Sequence, residues 1–385
     1  MTAVSAGIGR AVLLWVSTGA VLLGAAGCNA GRRALLDRAR EILPASLRSD
    51  QSGVRALALE AYRDLAMPVP DVELRTIARR DLDPARFAAV LVKAEQASVG
   101  DLRFFDTIFR EDDDDSVRLA AIYGLARLGD FRYMQMLADG VMDKRAVVRR
   151  NAAMILGLLG NRSAAGMLRE HLADADPVAR LNVAEALARL GDRSGLPVIR
   201  GMVGTGDNEA WWQVNAILAL GRVGVPSTDI GRLRDIEGSR GPITVAAKLA
   251  AFGARAQLGD YSQAAFLAEA AGGKFGRRVL EPQDRAFALQ LLARAAYGPA
   301  WHEVAACLDD GDPSVRLSAA WALLAFNSPR ADRVKRSIAE SKDPHLLTER
   351  EVLRPSMQRE PPGEPGGALD PSSGRRKSAL PPYFP

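Results

Sequence analysis

The sequence repeats itself with a period of about 31 residues, and no other feature constrains the fold as much. Three segments align without gaps: VRLAAIYGLARLGD (117–130), VRRNAAMILGLLGN (148–161) and ARLNVAEALARLGD (179–192). Arg118, Arg149 and Arg180 fall in one column of this alignment. So do Leu125, Leu156 and Leu187, then Leu128, Leu159 and Leu190, and Gly129, Gly160 and Gly191. The period continues through Leu137, Leu168 and Ile199. A chain of this kind stacks like units in a row, each burying its apolar face on its neighbours.

Each unit reads as two helices. The first begins near an Asp, as at Asp176-Pro177 and Asp312-Pro313. Asp caps a helix N-terminus well, and Pro at the first helical position gives up an N–H that has no partner there anyway. Apolar residues then recur at three- and four-residue spacing. Leu-Gly-Asp or Leu-Gly-Asn ends the helix, with Gly in the left-handed position. A shorter second helix follows, for example Arg132 to Val141 or Ser163 to Ala173. Ala120, Ala121, Ala152 and Ala153 allow close helix–helix approach. Weaker copies at 54–65, 86–101, 211–224, 244–260, 284–298 and 315–327 bring the array to some nine units.

The order Asp-Pro, Val-Arg, an Ala-rich stretch and Leu-Gly-Asp resembles the short HEAT-like repeats named after the phycobilisome lyases. The resemblance implies an all-α fold, an α/α superhelical solenoid of helical hairpins. Arg118, Arg149, Arg180 and Arg316 occupy the family's repeated Arg position. There the Arg tends to pair with the Asp of a neighbouring unit, so this ladder is expected to be structural. In such solenoids the second helices line the inner curve. Their side chains Arg132, Tyr133, Gln135, Arg169, His171, Arg200, Trp301 and His302 are therefore the expected contact residues for a partner. Trp211 and Trp212 join them, because adjacent residues on one helix cannot both face inward.

Composition agrees with helices. Ala, Leu and Arg abound, aromatic content is 6%, and 385 residues are too many for one compact core. The balance of 51 basic and 46 acidic residues leaves a net charge of +5, with no basic run of the kind a nucleic-acid footprint needs. No nucleic-acid partner is expected. Cys28 and Cys307 lie far apart, so no disulfide framework is expected. Cys307, in Ala-Ala-Cys-Leu, reads as a small buried hydrophobe.

Residues 1–27 read as a secretory signal. Arg10 precedes an apolar stretch from Ala11 to Gly24, and Ala25-Ala26-Gly27-Cys28 follows. Small residues before a Cys resemble the lipobox of bacterial lipoproteins, which implies lipidation of Cys28. Ala25 stands where that family usually has Leu. An uncleaved anchor, or a signal peptide cut nearby, is the alternative these residues allow. All of them point to the cell envelope, facing the periplasm or exterior. Residues 28–49 are expected to form a linker and cap, 50–352 the solenoid, and 353–385, rich in Pro and Gly, a disordered tail.

Chemistry is sparsely supplied. His171, His302 and His345 are the only histidines. The iron-dependent hydroxylases built on HEAT scaffolds hold metal on several His-Glu pairs, and only His302-Glu303 appears here. Glu111-Asp112-Asp113-Asp114-Asp115 lacks the spacing and turn Gly of a calcium loop, and reads as a solvated loop feeding a helix cap. Phosphate-loop, nucleophile-elbow and His-Glu-x-x-His motifs are absent. Trp321, mid-helix among apolar residues, reads as core. The expectation is a non-enzymatic scaffold with no cofactor or metal, tethered to a membrane through its N-terminal lipid and binding a protein or peptide. By fold resemblance alone, the alternative is a lyase-type chromophore chaperone.

Overall fold

The computed structural model describes residues 30–203, 211–238 and 244–340. Its first helices begin as the sequence predicts. The Asp176 carboxylate accepts from the Ala179 backbone N–H, and Asp312 accepts from Ser314 and Val315. The turns at Gly129, Gly160 and Gly191 have φ of 90°, 71° and 84°, a conformation that disfavours any side chain.

In chain order the helices are α1 (30–46), α2 (Ser52–Asp64), α3 (Asp71–Arg80), α4 (Asp83–Glu95), α5 (Leu102–Glu111), α6 (Asp115–Arg127) and α7 (Met134–Val141). Then come α8 (Ala146–Leu159), α9 (Ala165–Glu170), α10 (Pro177–Arg189), α11 (Gly195–Val203), α12 (Trp211–Val223) and α13 (Pro226–Gly238). The last are α14 (Val245–Gln257), α15 (Ala264–Ala271), α16 (Pro282–Ala295), α17 (Trp301–Ala306), α18 (Pro313–Phe326) and α19 (Pro329–Glu340). A hairpin of β1 (Lys274–Phe275) and β2 (Arg278–Val279) separates α15 from α16. The protein is an all-α, HEAT-like solenoid.

Each even-numbered helix packs on the even-numbered helices before and after it, and these form the inner layer. They are buried nearly all round: α6 is buried from Ser116 to Ala126 except at the half-buried Arg118. The odd-numbered second helices are one-sided. Helix α5 buries only Phe104, Phe105, Ile108 and Phe109. This corrects the expectation that second helices line the inner curve. The first helices carry the small side chains, so their backbones approach most closely and take the shorter circumference. At Gly157 an added Cβ would sit 2.8 Å from the Ala186 Cα, which shows how close α8 and α10 come.

The array also closes on itself. Helix α18 packs on α2. Arg294 of α16 donates to Glu60 of α2 at 2.5 Å. The Trp321 indole N–H donates to Asp64 at 3.1 Å. All four residues lie in the C-terminal halves of their helices, so the two ends meet at one level. Outside this seam α1 runs alongside α17 in the same direction. Arg32 stacks on Trp301 at 4.0 Å, and Arg38 pairs with Asp309 at 3.1 Å. The result, among the described residues, is a ring of nine inner helices inside an outer layer. Its two rims differ. At the Gly-turn rim inner helices turn into outer ones, and at the Asp-cap rim the chain returns.

Closure is directly testable. Spin labels at positions 38 and 309, in a chain lacking Cys28 and Cys307, should give one distance below about 25 Å, the reach of neighbouring helices plus two label arms. Nine inner helices in an open row at roughly 8–10 Å spacing would put the ends about 65–80 Å apart. A distance in that longer range would rule out the ring.

Candidate functional site

The Arg ladder sits at the Asp-cap rim and is structural throughout. Arg149 donates to Asp174 of the next unit at 2.7 and 2.8 Å, and Arg55 to Asp81 at 2.5 Å. Arg118, Arg180 and Arg316 instead bond the backbone carbonyls of Phe109, Asp174 and Asp310. The acidic run is absorbed in the same way. Asp112 and Asp113 pair with Arg86, and Asp114 caps α6. Among the described residues no group of His, Cys, Asp or Glu could hold a metal ion.

Most of the expected contact residues are likewise used by the fold. Tyr133 stacks on Phe109 at 4.1 Å and donates to Asp106. Arg200 is paired with the buried Asp229, Arg169 with Asp192, and Arg132 with Asp130. Trp301 is buried under Arg32, which corrects its assignment as an exposed contact. His302 is exposed on an outer helix, while His171 and Trp212 are half-buried. The side chain of Trp211, together with Cys28, His345 and the tail, lies outside the described residues. Trp321 and Cys307 are core, as expected.

A group of charged side chains outside the ladder converges at the Gly-turn rim. A cavity of 1580 Å³ opens there, larger than most small-molecule sites. One wall comes from the last turns of inner helices: Glu60, Arg63, Asp64, Glu95, Tyr123 and Arg127, with Arg294 across the seam. The void continues over the end of α8 into a groove between α7 and α9. Met134, Ala138 and Met167 make its apolar surface, and Phe131 stands 64% exposed at its mouth. Of the expected contact residues, Gln135 is the one that lines this cavity.

The wall is ordered by its own bonds. Arg63 pairs with Glu95 at 2.9 Å. Burial nonetheless pushes the Glu95 carboxyl above its ordinary value, outweighing Arg63 and Arg127. Burial also raises the neighbouring Tyr123 phenol, helped by the Glu95 charge. Arg127 donates to the Ala94 carbonyl at 3.0 Å and has no carboxylate partner among the described residues. Farther round the ring Glu185 accepts from Arg189 and Arg222, both at 2.7 Å. Burial alone would raise its pKa, but the two guanidiniums outweigh it and hold it at about 2.

These residues escaped the sequence reading because they belong to no repeated column. Tyr123, Met154 and Glu185 occupy one register position, and Arg127, Leu158 and Arg189 another. The available signal was a charged or phenolic residue inside a helix with no solvent face.

A family model for HEAT repeats matches residues 105–180. The search of curated proteins finds no match. Among solved structures the chain is similar to human deoxyhypusine hydroxylase in complex with glycerol. Identity is 18%, covering 66% of this chain and 96% of that one, with a TM-score of 0.32. A likeness at that level carries no argument about activity.

Proposed function

We propose that this chain is a non-enzymatic binding scaffold of the bacterial cell envelope, held to a membrane through Cys28, and that a protein or peptide partner enters the cavity at the Gly-turn rim. One observation supports the site above all. The cavity joins a Met-rich apolar groove to a wall of charged groups that are already oriented. Met side chains adapt to varied apolar partners. The charged groups on the wall hold one another, Arg294 with Glu60 and Arg63 with Glu95, which suits recognition rather than proton transfer. Of the outer-helix residues, Arg132, Tyr133, Arg169, Arg200 and Trp301 are held in ion pairs or packing.

The envelope assignment draws on the Ala-Ala-Gly-Cys sequence ending at Cys28. Among the described residues no helix is long and apolar enough to cross a membrane. Mass spectrometry of the protein from cells is expected to find a lipid-modified Cys28 at the mature N-terminus, and an unmodified Cys28 would overturn the assignment.

Photo-crosslinking residues at positions 135 and 163, which line the cavity, should capture a discrete partner in cells. The same probe at position 302, on the outer layer, should not. Met167→Trp, which fills the groove, should abolish the crosslink at 135 with helicity unchanged. Equal capture at 302, or capture that survives Met167→Trp, would sink the assignment of the cavity.

A further inference from the structure

We propose that the Gly-turn rim is a docking face for an anionic bilayer, so that the protein lies with its cavity mouth toward the membrane. The inference rests on the membrane-tethered reading above and adds an orientation to it.

Two independent observations carry it. The first is where the chain enters the ring. Helix α1 starts at residue 30, and Arg32 stacks on Trp301, the first residue of α17. Trp301 follows Arg294, a cavity residue, by only seven positions. The start of α1 is therefore at the Gly-turn rim. Cys28 lies two residues before that helix, a span of roughly 7 Å at most. A lipid on Cys28 would hold this rim, and not the other, against the bilayer.

The second observation is charge. The carboxylates in the rim's Leu-Gly-Asp turns are all engaged. Asp130 pairs with Arg132, Asp192 with Arg169, and Asp260 with Arg255 and Arg234. Each also accepts a backbone N–H two residues on. The rim's remaining bases stand exposed: Arg33, Arg127, Arg162, Arg193 and Arg330. None of these makes an ion pair with a described residue. Phe131 is exposed among them. The opposite rim carries the run from Glu111 to Asp115, together with Asp174, Asp176, Asp310 and Asp312. Those carboxylates are largely paired with Arg86, Arg149, Arg150 and Arg285, whereas the exposed arginines of the Gly-turn rim, unpaired among the described residues, stand on the side of the anchor. Arginines close to anionic headgroups are attracted to them over about a Debye length. A nucleic acid would also meet this charge, but the placement of the first turn of α1, next in sequence to Cys28, favours a bilayer.

The test is co-sedimentation of the full chain carrying Cys28→Ser with vesicles, so that lipidation plays no part. The readout is binding to vesicles of one part phosphatidylglycerol to two parts phosphatidylcholine, relative to phosphatidylcholine alone. The apolar N-terminal stretch contributes to both and cancels in the ratio. Anionic vesicles should be preferred at least tenfold at low salt, and the preference should fade by about 0.5 M NaCl as the charges are screened. R162E/R193E should remove most of it. R277E/R278E changes the net charge equally, but on the hairpin at the Asp-cap rim, and should leave the preference intact. No anionic preference, or equal loss in both double variants, overturns the proposal. So does a rim variant that loses binding to a duplex oligonucleotide while keeping vesicle binding. Failure of the Cys28 reading shows separately, as a native N-terminus without lipid on Cys28 in mass spectrometry.

Discussion

Replacing Trp321 with alanine is expected to cost about 3–5 kcal/mol and to open the ring. Trp321 is fully buried, donates to Asp64 across the seam, and lies under the Arg294 guanidinium at 5.1 Å. Its loss leaves a large cavity between α18 and α2, at the inner seam where the first and last units of the array meet. In an open solenoid such damage stays within nearest neighbours. In a ring it also frees the far end. Amide exchange should therefore rise in α2 as well as in α18, although Trp321 and Asp64 are 257 residues apart. Trp321→Phe keeps most of the volume, and should cost about 1–2 kcal/mol with the seam closed. Denaturant midpoints measure the first effect, and the 38–309 label distance the second. A loss below about 1 kcal/mol in Trp321→Ala, less than any full truncation of a buried aromatic, would contradict the assignment of Trp321 as the closing residue. An unchanged seam would contradict it too.

Glu185→Gln is expected to destabilise the protein by about 3 kcal/mol at neutral pH, the usual cost of breaking a buried pair from one side. The carboxylate is buried between Arg189 and Arg222 and titrates at about 2, against roughly 4.3 in an unfolded chain. Its folded value is depressed, so its contribution is present above the unfolded value. That contribution is lost as pH falls from about 4.5 to 2. The variant also leaves two guanidiniums without their counter-charge. Other paired carboxylates, such as Asp174 and Asp260, are also held below their ordinary values by their arginines. The informative quantity is therefore the difference between parent and variant. That difference should be largest near pH 7 and shrink toward pH 2. A gap that stays constant across this range would show that Glu185 is not held as a carboxylate by its neighbours.

Much of the local structure was legible in advance. The caps at Asp176 and Asp312, the left-handed glycines, the structural Arg ladder and the core placement of Trp321 and Cys307 all follow from contacts within one unit or between adjacent ones. A repeated column records such contacts, because the same neighbour recurs in every unit. The layer assignment was also in the sequence, though misread. Ala120, Ala121, Ala152 and Ala153 imply close approach, and close approach belongs to the inner circumference. Of the cavity, Gln135 was named, but as part of a surface that the fold does not form. Glu60, Glu95, Arg127 and Arg294 went unmarked, because nothing local distinguishes a charged residue aimed into a shared void from one aimed at solvent.

By itself, then, the sequence determined an all-α, HEAT-like solenoid: its period, its caps and turns, and which repeated polar residues serve stacking. Only the tertiary structure decided that the row is a ring, which helices lie inside it, and which charged residues line the cavity at the Gly-turn rim. The physical reason is additive geometry. Each unit contributes a small rotation that no single contact encodes. Only after nine of them do Glu60 and Asp64 come within hydrogen-bond reach of Arg294 and Trp321.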